Sequence, residues 1–336
     1  MKRIRKPFGI GRFLRLGGCL ASAWWLAASC INEDLSKCGR DYSVDYELKL
    51  SASLQQALDE EFVTTGEQAL ETRLRSDLGN VLSDKARVMD LSFFEAQGGE
   101  LVKHQRMTPD AHETSVTVYM NRNSYYNVAL AATDTENEVG ISGGDSYDGI
   151  RLLQLEADTV EAYHSALYMG LERMALSDTS AHYYVPLYMV NAVPVLVISR
   201  GGSTASLISA YVRGTASGLC CADSMYVYNR SAVMRTERTD AGSLTAFHCV
   251  CFPSADTPVR RRATDGSLWE MDAYTRTAEG KYVRNTLYVK EPLRAGAMQV
   301  IKVKLNNDGT LTADNPEVGV SVELNWQPGG DIDIDI

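Results

Sequence analysis

The chain has 336 residues, 45% of them apolar, with 33 basic against 43 acidic residues and a net charge of −10. That apolar share supports packed cores rather than disorder. The acidic balance argues against a nucleic-acid binder, since phosphates are met by Lys and Arg, and against charge attraction to anionic lipid headgroups.

The first residues set the address. Lys2, Arg3, Arg5, Lys6, Arg12 and Arg15 stand without an acid, and Cys19 to Ser29 then runs uncharged. A basic start, a short apolar run and small residues at its end form a secretory signal peptide over residues 1–29. The run is too short to span a bilayer, which needs roughly 20 residues. There is no adjacent Arg-Arg pair, which disfavours the twin-arginine route. Ala27-Ala28-Ser29 directly precede Cys30, and this resembles the bacterial lipobox. The resemblance implies cleavage between Ser29 and Cys30 and a covalent lipid on Cys30, whose thiolate is the natural nucleophile for alkylation. The usual Leu three residues before the cysteine is Ala27 here, with Leu26 one place earlier. The alternative Leu16-Gly17-Gly18-Cys19 fails because Arg12 and Arg15 interrupt the apolar run before it. A plain secreted protein is the competing reading. Several acyl chains, such as palmitate, would anchor firmly at about 0.8 kcal/mol per buried CH₂. Without residues 1–29 the chain carries 27 basic and 43 acidic residues, a net −16, which suits a soluble body on a lipid tether.

Beyond a linker over residues 30–41, the dominant period is two. Val44, Tyr46, Leu48 and Leu50 alternate with polar residues, as do Val116, Val118 and Met120, and Val318, Val320, Val322, Leu324 and Trp326. Such alternation marks strands with one buried face. Gly98-Gly99, Glu279-Gly280-Lys281 and Asn307-Asp308-Gly309 sit between strand-like flanks as hairpin turns. Many short strands with this punctuation predict β-sandwich architecture. Between Leu54 and Leu82 the pattern changes. Leu70, Leu74, Leu78 and Leu82 recur every four residues, which predicts one or two amphipathic helices inserted after the first strand. Thr133 to Ile150 is polar and Gly-rich, a long surface loop. Pro186 and Pro194 favour strand ends or an edge. A rise in polarity near Ser177 to Ser180 places a domain boundary near residue 180, giving an N-terminal β-sandwich over 42–180 and a C-terminal one over 181–336.

Chemistry-bearing motifs are mostly missing. There is no H-E-x-x-H, G-x-S-x-G, P-loop or dinucleotide fingerprint, so no catalytic residue is assigned and the expectation is a protein that is not an enzyme. His248, Cys249 and Cys251 with Cys220 and Cys221 lack the turn spacing of a zinc site, and no metal ligand or cofactor is assigned. Cys249 and Cys251 face one side of an apolar stretch, and a disulfide to Cys220 or Cys221 and buried free thiols are both open. Aligning Gly309 with the glycine of a calcium loop puts Lys304 and Asn315 where acids are required, so the segment is a turn. Val259-Arg260-Arg261-Arg262 is an exposed loop and a convenient tryptic site. Trp269 is the one tryptophan available to an exposed sugar platform, because Trp24 and Trp25 leave with the leader and Trp326 belongs to an inward alternation.

Cys30-Ile31-Asn32-Glu33-Asp34-Leu35-Ser36-Lys37-Cys38 resembles the start of mature fimbrillin-associated anchor proteins, lipidated accessory subunits of minor fimbriae in Bacteroides-type bacteria. Ala166 to Gly170 followed by Val185 to Met189 is similar to that family's interdomain join, and Gly319 to Trp326 to its last strand. The helical region and the Cys220-Cys221 pair depart from the pattern. The resemblance implies two transthyretin-like β-sandwiches in tandem on an outer-membrane lipid anchor, an all-β fold with the helices inserted in the first. It implies that the protein holds the base of a fimbrium (pilus), binds fimbrillin subunits and limits fimbrial length. Glu33 and Asp34 fit the acidic signal that sends lipoproteins to the cell surface, or an ordinary solvated linker. The alternative function is a surface lipoprotein that binds glycan or host matrix.

The tail Gly330-Asp331-Ile332-Asp333-Ile334-Asp335-Ile336 puts Ile332, Ile334 and Ile336 on one side, after a Gly329-Gly330 hinge. It can serve as this chain's own edge strand or insert into a neighbouring subunit in donor-strand fashion. The first is preferred, because an anchor at the base need not donate.

Overall fold

The computed structural model describes residues 39–64, 66–135, 141–142, 144–153, 159–160, 162–177, 182–228, 232–257, 266–316 and 318–324. Ser29, Cys30, Glu33, Asp34, Cys38, the run 259–262, Trp326 and the tail with Ile332, Ile334 and Ile336 lie outside them. No helix among the described residues is long and apolar enough to cross a membrane.

The described residues are mostly in strands, with two short helices. The first half runs β1 (Arg40–Lys49), α1 (Ala52–Glu61), α2 (Gln68–Asp77), β2 (Val88–Glu95), β3 (Leu101–Met107), β4 (Glu113–Met120) and β5 (Ser124–Ala132). The short β6 (Ile141–Ser142), β7 (Arg151–Leu153) and β8 (Thr159–Val160) follow, then β9 (Leu167–Ala175) and β10 (His182–Met189). The second half runs β11 (Val193–Ser199), β12 (Ser206–Thr215), β13 (Gly218–Cys220), β14 (Met225–Val227), β15 (Ala232–Arg235), β16 (Glu237–Ala241) and β17 (Leu244–His248). It closes with β18 (Trp269–Arg276), β19 (Tyr282–Val289), β20 (Met298–Leu305), β21 (Leu311–Ala313) and β22 (Val318–Leu324).

These strands form four sheets. A seven-stranded sheet has the order β3-β2-β5-β9-β10-β1-β4, and a five-stranded sheet the order β16-β17-β11-β20-β21. A six-stranded sheet runs β22-β19-β18-β12-β15-β8, and a small one β14-β13-β7-β6. The three predicted hairpin turns connect β2 to β3, β18 to β19 and β20 to β21. Gly309 shows why the last needs glycine. Its φ is +80°, a Cβ there would meet Thr275 Oγ1 at 2.9 Å, and its carbonyl accepts from Thr275 Oγ1 and Asn285 Nδ2.

The predicted helical region forms two helices, and their leucines face one way. Leu54 and Leu58 on α1 and Leu70 and Leu74 on α2 are buried. They share a core with Tyr42, Val44, Tyr46 and Leu48 of β1 and with Val195, Val197 and Ala246 of the five-stranded sheet. The helices are therefore a layer between two sheets rather than an appendage of the first. Polar ties reinforce this: Ser53 Oγ donates to the Gly296 carbonyl, Arg73 to the Asp240 carbonyl and Thr239 to Asp77, while Lys302 Nζ lies 3.1 Å from Glu67 Oε1. The other face of the five-stranded sheet, with Leu196, Ile198 and Phe247, packs on Val212, Met271 and Leu287 of the six-stranded sheet. The small sheet covers Val128, Leu130 and Leu167 of the seven-stranded one.

Several expectations change. The strand after residue 180, β10, pairs with β1 and β9 of the first sheet, so the change of sheet falls between Met189 and Val193. The small sheet combines β6 and β7 with β13 and β14, and β8 pairs with β15, so the two halves interleave. Pro186 sits mid-strand in β10, opposite Glu47. It is tolerated because the paired ladder to β9 is formed only at Tyr188 and Met189, so no ladder bond to β9 is required of the proline. Pro194, the second residue of β11, stands at a strand end as expected, although the strand itself is inside a sheet. The segment 133–150 is only in part a loop. Tyr147 stacks on Tyr126 with ring centroids 4.2 Å apart and donates to the Ala222 carbonyl at 2.9 Å, so one aromatic pins a polar stretch to the core. Trp269 is buried, its Nε1 donating to the Glu291 carbonyl, and is not a sugar platform. Cys220, Cys221, Cys249 and Cys251 are free and buried. Cys249 and Cys251 occupy the core between the five- and six-stranded sheets and Cys221 the core under the small sheet, so thiol packing is the reading that holds.

Candidate functional site

Two surfaces stand out from the packed body: the edge at β22 and an uncovered part of the seven-stranded sheet.

Strand β22 ends the six-stranded sheet. One side pairs antiparallel with β19 from Val318↔Val289 to Leu324↔Val283, and no described strand pairs with the other side. Its apolar residues point toward the core side, as their alternation predicts, yet their burial decays along the strand. Val318 is buried and Val320 partly so, while Val322 is 40% and Leu324 61% exposed. The sequence expectation of a fully inward alternation is corrected here. The short β21 and its neighbours cover only the start of the strand, and nothing described lies over the end. Other edges are more polar: β3 exposes His104 and Arg106 beside Val102, and β4 exposes Glu113, Ser115 and Thr117. Strand β22 thus offers unpaired backbone beside exposed apolar side chains, and six residues separate its end from the tail Asp331–Ile336.

The second surface is the outward side of β10-β1-β4, which the small sheet leaves open. Tyr184 and Tyr188 of β10 and Tyr119 of β4 are 46%, 59% and 62% exposed. Between them lie Asp45, Glu47 and Lys49 of β1, outward because Tyr46 and Leu48 point inward. His182 Nε2 sits 2.9 Å from Asp45 Oδ2, and Ser115 Oγ donates to Asp45. Lys49 Nζ donates to Glu47 Oε2 at 2.7 Å and the Tyr184 hydroxyl donates to the same oxygen. These two hydrogen bonds, Lys49 first, hold the Glu47 carboxyl below its ordinary pKa, and that to Glu47 raises the Lys49 ammonium. His112 Nε2 is 3.9 Å from Glu47 Oε1, and Glu47 is directly opposite Glu113 in the β1–β4 register. Scattered along the sequence, these residues gave no signal. Only the pairing of β1 with both β4 and β10 gathers them.

No family model and no curated protein matches the chain. Solved structures do. One is the fimbrial anchor protein Mfa2 from Porphyromonas gingivalis, at 10% identity and a TM-score of 0.45 over 85% of this chain and 99% of that one. Another is a candidate adhesin from Bacteroides ovatus, at 10% identity and a TM-score of 0.49 over 89% and 99%. A third is the C-terminally truncated tip fimbrial protein Mfa3 from Porphyromonas gingivalis, at 10% identity and a TM-score of 0.42 over 85% and 100%.

Of the residues predicted as sites, those at the leader junction and in the tail lie outside the described residues, so no geometry is attached to them. His248 is buried, 3.1 Å from Thr239 Oγ1, and burial lowers its pKa. It belongs to the packing of β17 on α2, and no cluster of metal-ligating side chains includes it among the described residues. Asp308 accepts hydrogen bonds from the Thr310 hydroxyl and N–H, which lower its pKa and brace a tight turn.

Proposed function

We propose that the chain is a lipid-anchored protein of the outer cell surface that holds fimbrial subunits by strand addition, with its C-terminal end as the engaging element. The observation that carries this reading is the free edge at β22 with Val322 and Leu324 exposed beside it. An added strand would satisfy the open N–H and C=O groups and cover both side chains in one step. The leader ending at Cys30 supports a lipid anchor, and Glu33 and Asp34 support transfer to the surface. An anchor of this kind fixes the base of a fimbrium and so limits its length.

The test is capture of fimbrial subunits by the native protein from its own cells. Leu324→Lys should abolish co-purification of a pilin while leaving the melting temperature unchanged, and retained capture would overturn the role of the edge. Deleting 331–336 separates the two readings of the tail. A lowered melting temperature identifies it as this chain's own edge strand, whereas lost attachment at unchanged stability identifies it as a donor to a neighbour. Acyl labelling of wild type against Cys30→Ala tests the anchor. A second reading, glycan or matrix binding, is favoured by the exposed tyrosines 119, 184 and 188, because sugars stack on aromatic faces. Glycan binding lost in Tyr184→Ala, with no pilin partner, would install it instead.

A further inference from the structure

We propose that Glu47, His112 and Glu113 form a divalent-metal site of the zinc type on the open face of the seven-stranded sheet. Their ligand atoms all lie within 4.8 Å of one another. The sequence does not suggest the site, because Glu47 lies 65 and 66 residues from its partners. The β1–β4 register supplies it, with Glu47 directly opposite Glu113 and the Leu48 N–H bonded to the His112 carbonyl at 3.2 Å.

Three physical points carry the assignment. Two carboxylates directly across an antiparallel pair repel each other, and a cation between them reverses the sign of that interaction. Lys49 does not fill this role for both, because its ammonium bonds Glu47 Oε2, on the carboxylate oxygen not turned to His112. With Tyr184 donating to the same Oε2, Glu47 is fixed so that Oε1 faces the imidazole, as an outer-shell partner fixes a metal-bound carboxylate. The donor set then selects the metal. An imidazole with two carboxylates suits zinc and its transition-metal neighbours, whereas calcium and magnesium prefer all-oxygen cages. In a tetrahedral zinc site with bonds of about 2.0–2.2 Å, ligand atoms stand about 3.4 Å apart, so the 3.9 Å between His112 Nε2 and Glu47 Oε1 closes with a small side-chain adjustment. Three protein ligands leave a fourth position for a water molecule.

The experiment is calorimetric titration of the full-length mature protein, stripped of metal by chelation, with zinc chloride. One saturable zinc per chain is expected, together with visible d–d bands of tetrahedral cobalt when cobalt replaces zinc. His112→Ala and Glu113→Gln should each abolish saturable binding, while His182→Ala on the same face leaves it unchanged. Melting temperatures of the metal-free variants equal to wild type exclude misfolding as the cause, and Glu113→Gln, isosteric with the native residue, carries the test should His112→Ala fold poorly. Absence of saturable uptake by wild type, unchanged affinity in both ligand variants, or equal loss in His182→Ala would each overturn the assignment.

Discussion

Strands β1 and β22 carry the same written pattern and opposite fates. In β1, Tyr42, Val44, Tyr46 and Leu48 are all 1% exposed or less, because the strand lies between β10 and β4 and the two helices roof its apolar face. In β22 the same alternation runs from a buried Val318 to a Leu324 that is 61% exposed. Alternation states which face of a strand can be buried. It does not state whether another layer arrives to bury it, and the shortfall at β22 is the observation on which the proposed strand addition rests.

That contrast can be attacked from several sides. The largest effect is expected at Asp272, fully buried on β18 in the same sheet as β22, with Arg284 Nη2 3.1 Å and Arg213 Nε 2.8 Å away, the latter without an aligned hydrogen bond. Asp272→Asn should cost about 3–5 kcal/mol in urea unfolding, since it leaves a buried guanidinium uncompensated. A loss below about 1 kcal/mol would mean that the whole sheet, not only its edge, is loosely held. Leu48→Ala on β1 should cost about 2–5 kcal/mol, the transfer and cavity cost of a core leucine. His248 sharpens the comparison through the helix layer that β22 lacks. It faces Thr239 and Asp77, with Glu237 and His164 nearby, and burial lowers its folded-state pKa despite the two carboxylates. The unfolded chain therefore takes up this proton first as acidity rises. The His248 contribution to stability is complete above about pH 6.5 and is lost as the pH falls toward the lower folded-state value. Melting temperatures measured from pH 8 to 5 should decline less steeply in His248→Gln than in wild type. The smallest effect belongs to Leu324→Ala, within about 0.5 kcal/mol, as for an exposed surface residue. A core-sized loss there would show that something already covers the edge.

Much of the fold was legible. The turns at Gly98-Gly99, Gly280 and Gly309 punctuate hairpins because only glycine takes their positive φ at no cost. The four-residue spacing of Leu70, Leu74 and Leu78 announces a helical stripe. Less legible was what each element packs against. The helices look like an insertion in one half but serve two sheets. Pro186, which argues locally against a mid-strand place, is admitted by a ladder that starts two residues later. Tyr147 lies in a polar, Gly-rich run and still reaches a core. Of the candidate sites, Cys30 and the isoleucine tail were visible as local patterns, while Glu47, His112 and Glu113 were not, because a cross-strand cluster has no spacing to read.

By itself, the sequence determined the strand and helix periods, the turn positions and the orientation of each apolar face, because all of these depend on residues within a few places of one another. Only the tertiary structure decided that the two halves share strands, that Trp269 is buried, that β22 runs out of cover before it runs out of apolar residues, and that two glutamates and a histidine meet on an open sheet. Those outcomes depend on which strands pair and which layers stack. Both are set by the summed burial of whole sheets, and no local stretch of the chain contains that sum.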